Sequence, residues 1–206
     1  MKAMMKDAVI LFTITILAGL ILGVVYQVTK EPIAIAEEKA IKEAYAEVFS
    51  DAVDFVLQEA TEETIVQSNE WKEAGFQAVE VGDVLAANDA EGNLLGYVLT
   101  ITSHEGYGGD ITFTMGVRRD GTLNGISILT ISETAGLGMK AESELQPQFA
   151  GKNVPNFTYT KTEATSDSQI DAISGATITT KAVTTAVNGG LYYFQTQLGG
   201  SSYETK

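Results

Sequence analysis

The most constraining feature of the sequence is an uncharged run near its N-terminus. Residues 8–28 read AVILFTITILAGLILGVVYQV and contain no Asp, Glu, Lys or Arg. About 21 helical residues, at about 1.5 Å of rise each, span the roughly 30 Å hydrocarbon core of a bilayer. A buried core helix and a cleaved signal peptide are the alternatives, but the run exceeds the usual signal core and no small-x-small cleavage site follows it. We therefore expect one retained transmembrane helix over residues 8–28.

The charges beside this run predict its orientation. Lys2 and Lys6 precede the run, whereas Lys30 on its other side is offset by Glu31. Positive charge near the ends of a span favours the cytoplasmic side. Residues 1–7 are therefore predicted to be cytoplasmic, and the remaining chain is predicted to lie outside the cytoplasm.

Composition excludes several kinds of chemistry. The chain has 27 acidic and 13 basic residues, a net charge of −14, which repels a phosphate backbone, so no nucleic-acid partner is predicted. It has no cysteine, which excludes disulfides, thiolate metal sites and cysteine nucleophiles. The one histidine, His104, cannot form a multi-histidine metal site and is interpreted as a surface residue. No metal site and no catalytic residue is predicted, and redox chemistry would require a bound cofactor.

The segment after the span is predicted to be helical. Residues 29–66 are assigned to stalk and linker helices, with Ala and Ile at helical spacing and Glu38 four residues before Lys42. Residues 51–67 fit either a second helix or an irregular connection, and residues 69–75 fit a turn.

Residues 67–206 are predicted to form one extracytoplasmic domain. Alternating apolar residues, separated by turn residues, predict an antiparallel meander of about four strands, over residues 79–89, 96–103, 110–119 and 122–132.

Three further elements complete this domain. A short helix is expected over residues 139–149, interrupted by Pro147, then a strand over 157–161 and a long amphipathic helix over 178–198. The predicted fold class is therefore α+β, an antiparallel sheet flanked by helices and preceded by one transmembrane helix.

The run DAISGATITTKAV precedes the last helix and has the features of an anion site. The glycine and alanine leave room for a bulky group, and Thr177 lies at or near the start of the helix, beside unpaired amide donors. These amides and the positive end of the helix dipole favour a phosphate, to which Lys181 could add a charge. The alternative is that Thr177 only caps the helix. The residues of interest are Asp171, Ser174, Gly175, Ala176, Thr177 and Lys181.

This run resembles the flavinylation motif of the FMN-binding domain family, an Asp or Asn followed at fixed spacing by Ser/Thr-Gly-Ala-Thr. Asp171 and residues 174–177 match it throughout. The resemblance implies that Thr177 is esterified through its oxygen to the phosphate of FMN. It also implies that an ApbE-type flavin transferase installs the bond from FAD.

A second stretch, residues 132–138, resembles the Glu-Thr-Pro-Gly-Leu-Gly segment of the same family, with Ala135 in place of the usual proline. This replacement should loosen the turn. Taken alone, the stretch fits a helix-entry loop. A loop with the apolar Leu137 between two glycines can lay a side chain and backbone donors against a flat ring, so in the light of the resemblance we assign it to the isoalloxazine ring, with Thr134 as a hydrogen-bonding candidate. The residues assigned to the cofactor here are Glu133, Thr134, Gly136 and Leu137, and the glycine-rich residues 106–109 also resemble a hairpin of the family.

The order of these features along the chain is similar to that of the G subunits of Rnf electron transport complexes, a family related to the C subunits of the sodium-pumping NADH:quinone reductase. The resemblance implies an electron-transfer subunit of a membrane-bound, ion-translocating ferredoxin:NAD+ oxidoreductase that works with other membrane subunits in the cell membrane. The alternatives are a component like those C subunits, a stand-alone membrane-anchored FMN reductase, and a non-redox adhesion or scaffold module.

Overall fold

The computed structural model describes residues 2–58 and 68–199 and divides them between two compact units, Met1–Lys42 and Glu43–Lys206. Helix α1, Lys2–Val48, is continuous through Pro32. Its most apolar window has a mean hydropathy of 2.8, and the side chains there are exposed. By length and composition α1 can cross a membrane, and it contains both the predicted span and the predicted first stalk helix.

A five-stranded antiparallel sheet forms the centre of the second unit, with the strands in sequence order. The predicted meander is confirmed, and one strand precedes it. The strands are β1 Asp54–Leu57, β2 Val79–Asn88, β3 Leu94–Ser103, β4 Ile111–Arg118 and β5 Leu123–Thr130.

Two predictions before the meander are wrong where the structure describes the chain. Residues 54–57 form β1 rather than a helix or irregular connection, because they pair along β2, with Asp54 opposite Asn88. Residues 59–67 of that prediction lie outside the described residues. The predicted turn at 69–75 contains a short helix, α2 (Asn69–Glu73), because the Ser68 side chain accepts a hydrogen bond from the Trp71 amide at 3.1 Å and caps it.

Helix α3, Thr177–Gln197, packs against β2, β3 and β4, as its periodicity predicts. Its apolar face and the facing side chains of the sheet form the core of the unit. The approach is close at Gly190, where an added Cβ would lie 2.1 Å from Sδ of Met115. The main buried residues of this interface are Leu99, Ile101, Phe113, Met115, Val183, Val187, Leu191 and Phe194.

Three short helical turns follow β5, where one short helix was expected. They are a 3-10 turn at Gly138–Lys140, a π turn at Ala141–Leu145 and a 3-10 turn at Gln146–Phe149. Pro147 lies at the start of the third turn, where its missing amide costs no helical hydrogen bond.

A small parallel sheet precedes α3. The strand predicted over 157–161 is confirmed as β6, Thr158–Thr160. It pairs with a strand that was not predicted, β7 (Gln169–Asp171). The α+β class is confirmed.

Candidate functional site

A cleft of about 490 Å³ lies where three segments of the second unit meet. These segments are the β3–β4 hairpin, the loop after β5 and the start of α3. The residues that line the cleft are Tyr107, Glu133, Thr134, Leu137, Gly138, Gly175, Ala176, Thr177, Ile178 and Thr179.

Glu133 joins the three segments. Its side chain is buried. Oε1 accepts a hydrogen bond from the Gly108 amide at 3.2 Å, and Oε2 accepts one from Oγ1 of Thr179 at 3.1 Å. One carboxylate therefore holds the hairpin and the helix against the loop that carries it.

Glycines make this arrangement possible. An added Cβ at Gly106 would lie 2.8 Å from Oε1 of Glu133, and one at Gly138 would lie 2.7 Å from Oε2. Both separations are too short for carbon against oxygen. The hairpin glycine and the loop glycine therefore provide the space that the Glu133 carboxylate occupies.

Thr177 is the first residue of α3, and its side chain is half-buried in the wall of the cleft. The position before the helix is occupied by Ala176, which provides no side-chain cap. Thr180 stabilises this turn instead. Its Oγ1 accepts a hydrogen bond from the Ile173 amide at 3.1 Å and donates one to the Ala176 carbonyl at 3.0 Å. The structure therefore does not support a capping role for Thr177.

The start of α3 has the properties of an anion site. The first amides of a helix have no acceptor within it, and the dipole makes this end positive. Gly175 precedes the helix with φ of +78°, a conformation that favours glycine, and an added Cβ there would lie 3.1 Å from Cδ2 of Leu137. Thr177 is thus the first residue of a helix start suited to an anion, and it lies in the wall of the cleft.

Four residues predicted to contact a cofactor are not among those that line the cleft. Gly136 and Ser174 are exposed near it. Asp171 ends β7, where Oδ1 accepts the Ala164 amide at 2.6 Å. Lys181 lies one turn into α3, with Nζ 3.4 Å from Oε2 of Glu105. Their roles as cofactor contacts stay predictions.

The structure adds four lining residues that were not assigned to the cofactor from the sequence, although Gly138 and Tyr107 lie within the segments 132–138 and 106–109 that resemble the family. Gly138 and Thr179 are packed around Glu133, while Tyr107 and Ile178 are exposed at 70% and 53%. Tyr107 lies within the glycine-rich hairpin, which was the available signal for it. The contact between Thr179 and Glu133 depends on the fold and has no sequence signal.

The cleft fits a flavin nucleotide. Its volume falls within the roughly 300–1,000 Å³ of small-molecule sites. It combines apolar side chains, such as Leu137 and Ile178, with a few polar groups and a helix start suited to a phosphate. A mononucleotide needs both kinds of surface, one for its ring and one for its phosphate.

Comparison with known proteins agrees with this class of site. A family model for the FMN-binding domain matches residues 106–191, and a model for the RnfG N-terminal region matches residues 1–48. The G subunit of the Na(+)-translocating ferredoxin:NAD(+) oxidoreductase complex of Acetobacterium woodii is 31% identical, over 94% of this chain and 93% of its own. The G subunit of the ion-translocating oxidoreductase complex of Methanosarcina acetivorans is 30% identical, over 96% and 98%.

The chain therefore combines an FMN-binding domain with one helix that is long and apolar enough to cross a membrane. The chain belongs to the family of G subunits of ion-translocating oxidoreductase complexes, as its motifs predicted.

Solved structures share the fold. Shewanella oneidensis NqrC superposes with a TM-score of 0.51 at 20% identity, covering 76% of this chain and 88% of that one. The C subunit of the Na(+)-translocating NADH-quinone reductase from Parabacteroides distasonis gives 0.50 at 22% identity, covering 73% and 80%.

Proposed function

We propose that this protein is the electron-carrying G subunit of a membrane-bound, ion-translocating ferredoxin:NAD+ oxidoreductase of the Rnf type, with FMN joined covalently to Thr177. The observation that carries the proposal is the position of Thr177 in the wall of the cleft, at the start of α3, in a chain that matches a G subunit over 93% of that subunit's length. Two relatives that are 30–31% identical over 93–98% of their own length are G subunits, which favours the Rnf assignment.

Different residues of the cleft would contact the two ends of the cofactor. The free amides at the start of α3 would hold the phosphate, and Leu137, Ile178 and Tyr107 offer apolar surface for the isoalloxazine. Thr134 is exposed on the same wall as a hydrogen-bonding group. Bound FMN supplies reversible one- and two-electron chemistry, and the protein contributes attachment, orientation and electrostatics.

Attachment is a group transfer that needs no oxidant. The Thr177 oxygen forms a bond to the FMN-side phosphorus of FAD, the pyrophosphate bond breaks, AMP leaves and the hydroxyl proton is released. An ApbE-type flavin transferase would catalyse this step. Thr177 is half-buried and its neighbours Gly175 and Ile178 are exposed, so the acceptor is accessible to another protein.

The membrane arrangement follows from α1 and its flanking charges. We place residues 1–7 in the cytoplasm, α1 across the cell membrane as a single-pass anchor, and the FMN-binding domain on the far side. An added Cβ at Gly19 or Gly23 would meet nothing within 4 Å, so both positions are open to a helix of another membrane protein of the complex. Turnover then belongs to the whole complex, and this subunit passes electrons.

The test is intact mass after co-expression with a flavin transferase. We expect an addition equal to FMN less one water, located by peptide mapping on Thr177 and absent from Thr177→Ala. Thr196→Ala is the matched control, because Thr196 is an exposed threonine on the same helix. An unmodified Thr177, or an addition that persists in Thr177→Ala, would refute the covalent assignment. Steady turnover by the isolated protein with a soluble acceptor would favour a stand-alone reductase instead.

A further inference from the structure

Glu133 is unusual among the acidic residues that the structure describes. Within residues 2–58 and 68–199 it is the one buried carboxylate, with 8% of its surface exposed. Taking a carboxylate out of water is costly unless it is hydrogen-bonded or paired with a cation. Its two hydrogen bonds, from Gly108 and Thr179, offset part of this cost.

No cation compensates this carboxylate in the part of the chain that the structure describes. Lys140 follows Glu133 in the chain and Lys181 follows its partner Thr179, but each lysine pairs with another acid. Nζ of Lys140 lies 2.9 Å from Glu144, and Nζ of Lys181 lies 3.4 Å from Glu105. The wall of the cleft therefore carries a negative group whose field is weakly screened, since it is held away from water.

An electron added to a ring system in this cleft would bring a second negative charge close to Glu133. Charges of the same sign repel more strongly in a partly buried site than in water. We infer that Glu133 lowers the reduction potential of the flavin in the cleft, while its hydrogen bonds hold the hairpin and α3 in place. This inference rests on the proposed function, because it requires a flavin at this site.

The experiment is a redox titration of the full-length protein flavinylated by co-expression. Intact mass is measured first on every variant, so that a failure of attachment is distinguished from an unchanged potential. Glu133→Gln keeps the size of the side chain and removes the charge, and Glu133→Asp keeps the charge and shortens the side chain. Glu142→Gln is the control, because Glu142 is exposed on the following helical turn and the substitution changes the net charge by the same amount.

We expect a more positive midpoint potential in Glu133→Gln, and a smaller shift in both Glu133→Asp and Glu142→Gln. If Glu133 has only a structural role, the ranking of the midpoint potentials is reversed. The potential of Glu133→Gln then stays close to that of the wild type, and the potential of Glu133→Asp is shifted. That ranking, or equal shifts in Glu133→Gln and Glu142→Gln, would overturn the inference.

A further variant decides the question if Glu133→Gln fails to take up flavin. Thr134→Lys adds a cation beside Glu133 at an exposed position of the same wall. We expect it to raise the midpoint potential by compensating the carboxylate. A potential that does not respond to this lysine would overturn the inference.

Discussion

Oγ1 of Thr179 donates a hydrogen bond to Oε2 of Glu133 over 3.1 Å, and this bond joins residues 46 positions apart. It fixes the first turn of α3, which begins at Thr177, against the loop that follows β5. The other oxygen of Glu133 holds the β3–β4 hairpin through the Gly108 amide. The shape of the cleft therefore depends on one carboxylate and on the glycines that make room for it.

The first prediction concerns the two threonines at the start of α3. Thr180→Ala should lower the free energy of unfolding by about 1–3 kcal/mol, because it leaves the buried Ile173 amide without its acceptor. Thr177→Ala should change it by no more than about 0.5 kcal/mol, because Ala176 is the N-cap and no side chain caps it. Chemical denaturation of the unflavinylated protein measures both. Equal losses would restore a capping role to Thr177.

The second prediction concerns the packing around Glu133. An added Cβ at Gly138 would lie 2.6 Å from Oγ1 of Thr179 and 2.7 Å from Oε2 of Glu133. Gly138→Ala should therefore cost about 1–3 kcal/mol and reduce covalent flavin uptake. Gly82→Ala is the control, since its nearest contact would be an ordinary 3.5 Å. Thermal unfolding and intact mass measure the two effects, and normal flavin uptake by Gly138→Ala would contradict the proposed role of this packing.

The third prediction concerns the last turn of α1, which packs on the sheet. An added Cβ at Gly116 would lie 2.7 Å from the carbonyl oxygen of Val48, which also accepts a hydrogen bond from Nδ2 of Asn124 at 2.8 Å. Backbone cannot give way as a flexible side chain can, so Gly116→Ala should cost about 1–3 kcal/mol. Asn124→Ala should cost about 1 kcal/mol by removing that bond. Thermal unfolding that is unchanged in Gly116→Ala would contradict this account.

The fourth prediction is a pH dependence at His104. The hydrogen bond with Asp110, 2.9 Å from Nδ1, raises the pKa of His104, with a further contribution from Glu80 at 3.3 Å. A group whose pKa is raised by folding stabilises the folded state. This stabilisation is fully present below the pKa of the unfolded state, about 6.5 for His104, and is lost as pH rises through the pKa of the folded state. The contribution is small, because the imidazole is 42% exposed.

Chemical denaturation at pH 5.5 and pH 8.5 measures this effect. The stabilisation at the lower pH, relative to His104→Gln, should shrink at the higher pH. Asp110→Asn should likewise make the stability depend less on pH between these two values. A stability difference between the wild type and His104→Gln that does not change with pH would contradict the prediction.

Much of the fold is predictable from local pattern. The membrane-compatible helix follows from an uncharged run, the strands β2–β5 from alternation and turn residues, and α3 from its helical period. Each of these elements is long enough to carry its own periodic signal. The three-residue strand β6 lies within the predicted strand over 157–161, whereas β1 and β7, of four and three residues, were not predicted as strands. They become strands only because β2 and β6 lie alongside and satisfy their backbone groups.

The features of the candidate site are likewise only partly predictable from the sequence. By itself the sequence determined a helix apolar enough to cross a membrane, an α+β domain and a hydroxyl-bearing helix start that resembles a flavinylation motif, because each depends on residues close together in the chain. Only the tertiary structure decided that Glu133 is buried and joins three segments. It also decided that Thr180 rather than Thr177 stabilises the start of α3. Asp171 and Lys181 contact other partners, which the sequence did not indicate. The physical reason is that burial and hydrogen-bond choice depend on which distant segments meet, and hydrophobic periodicity does not encode that pairing.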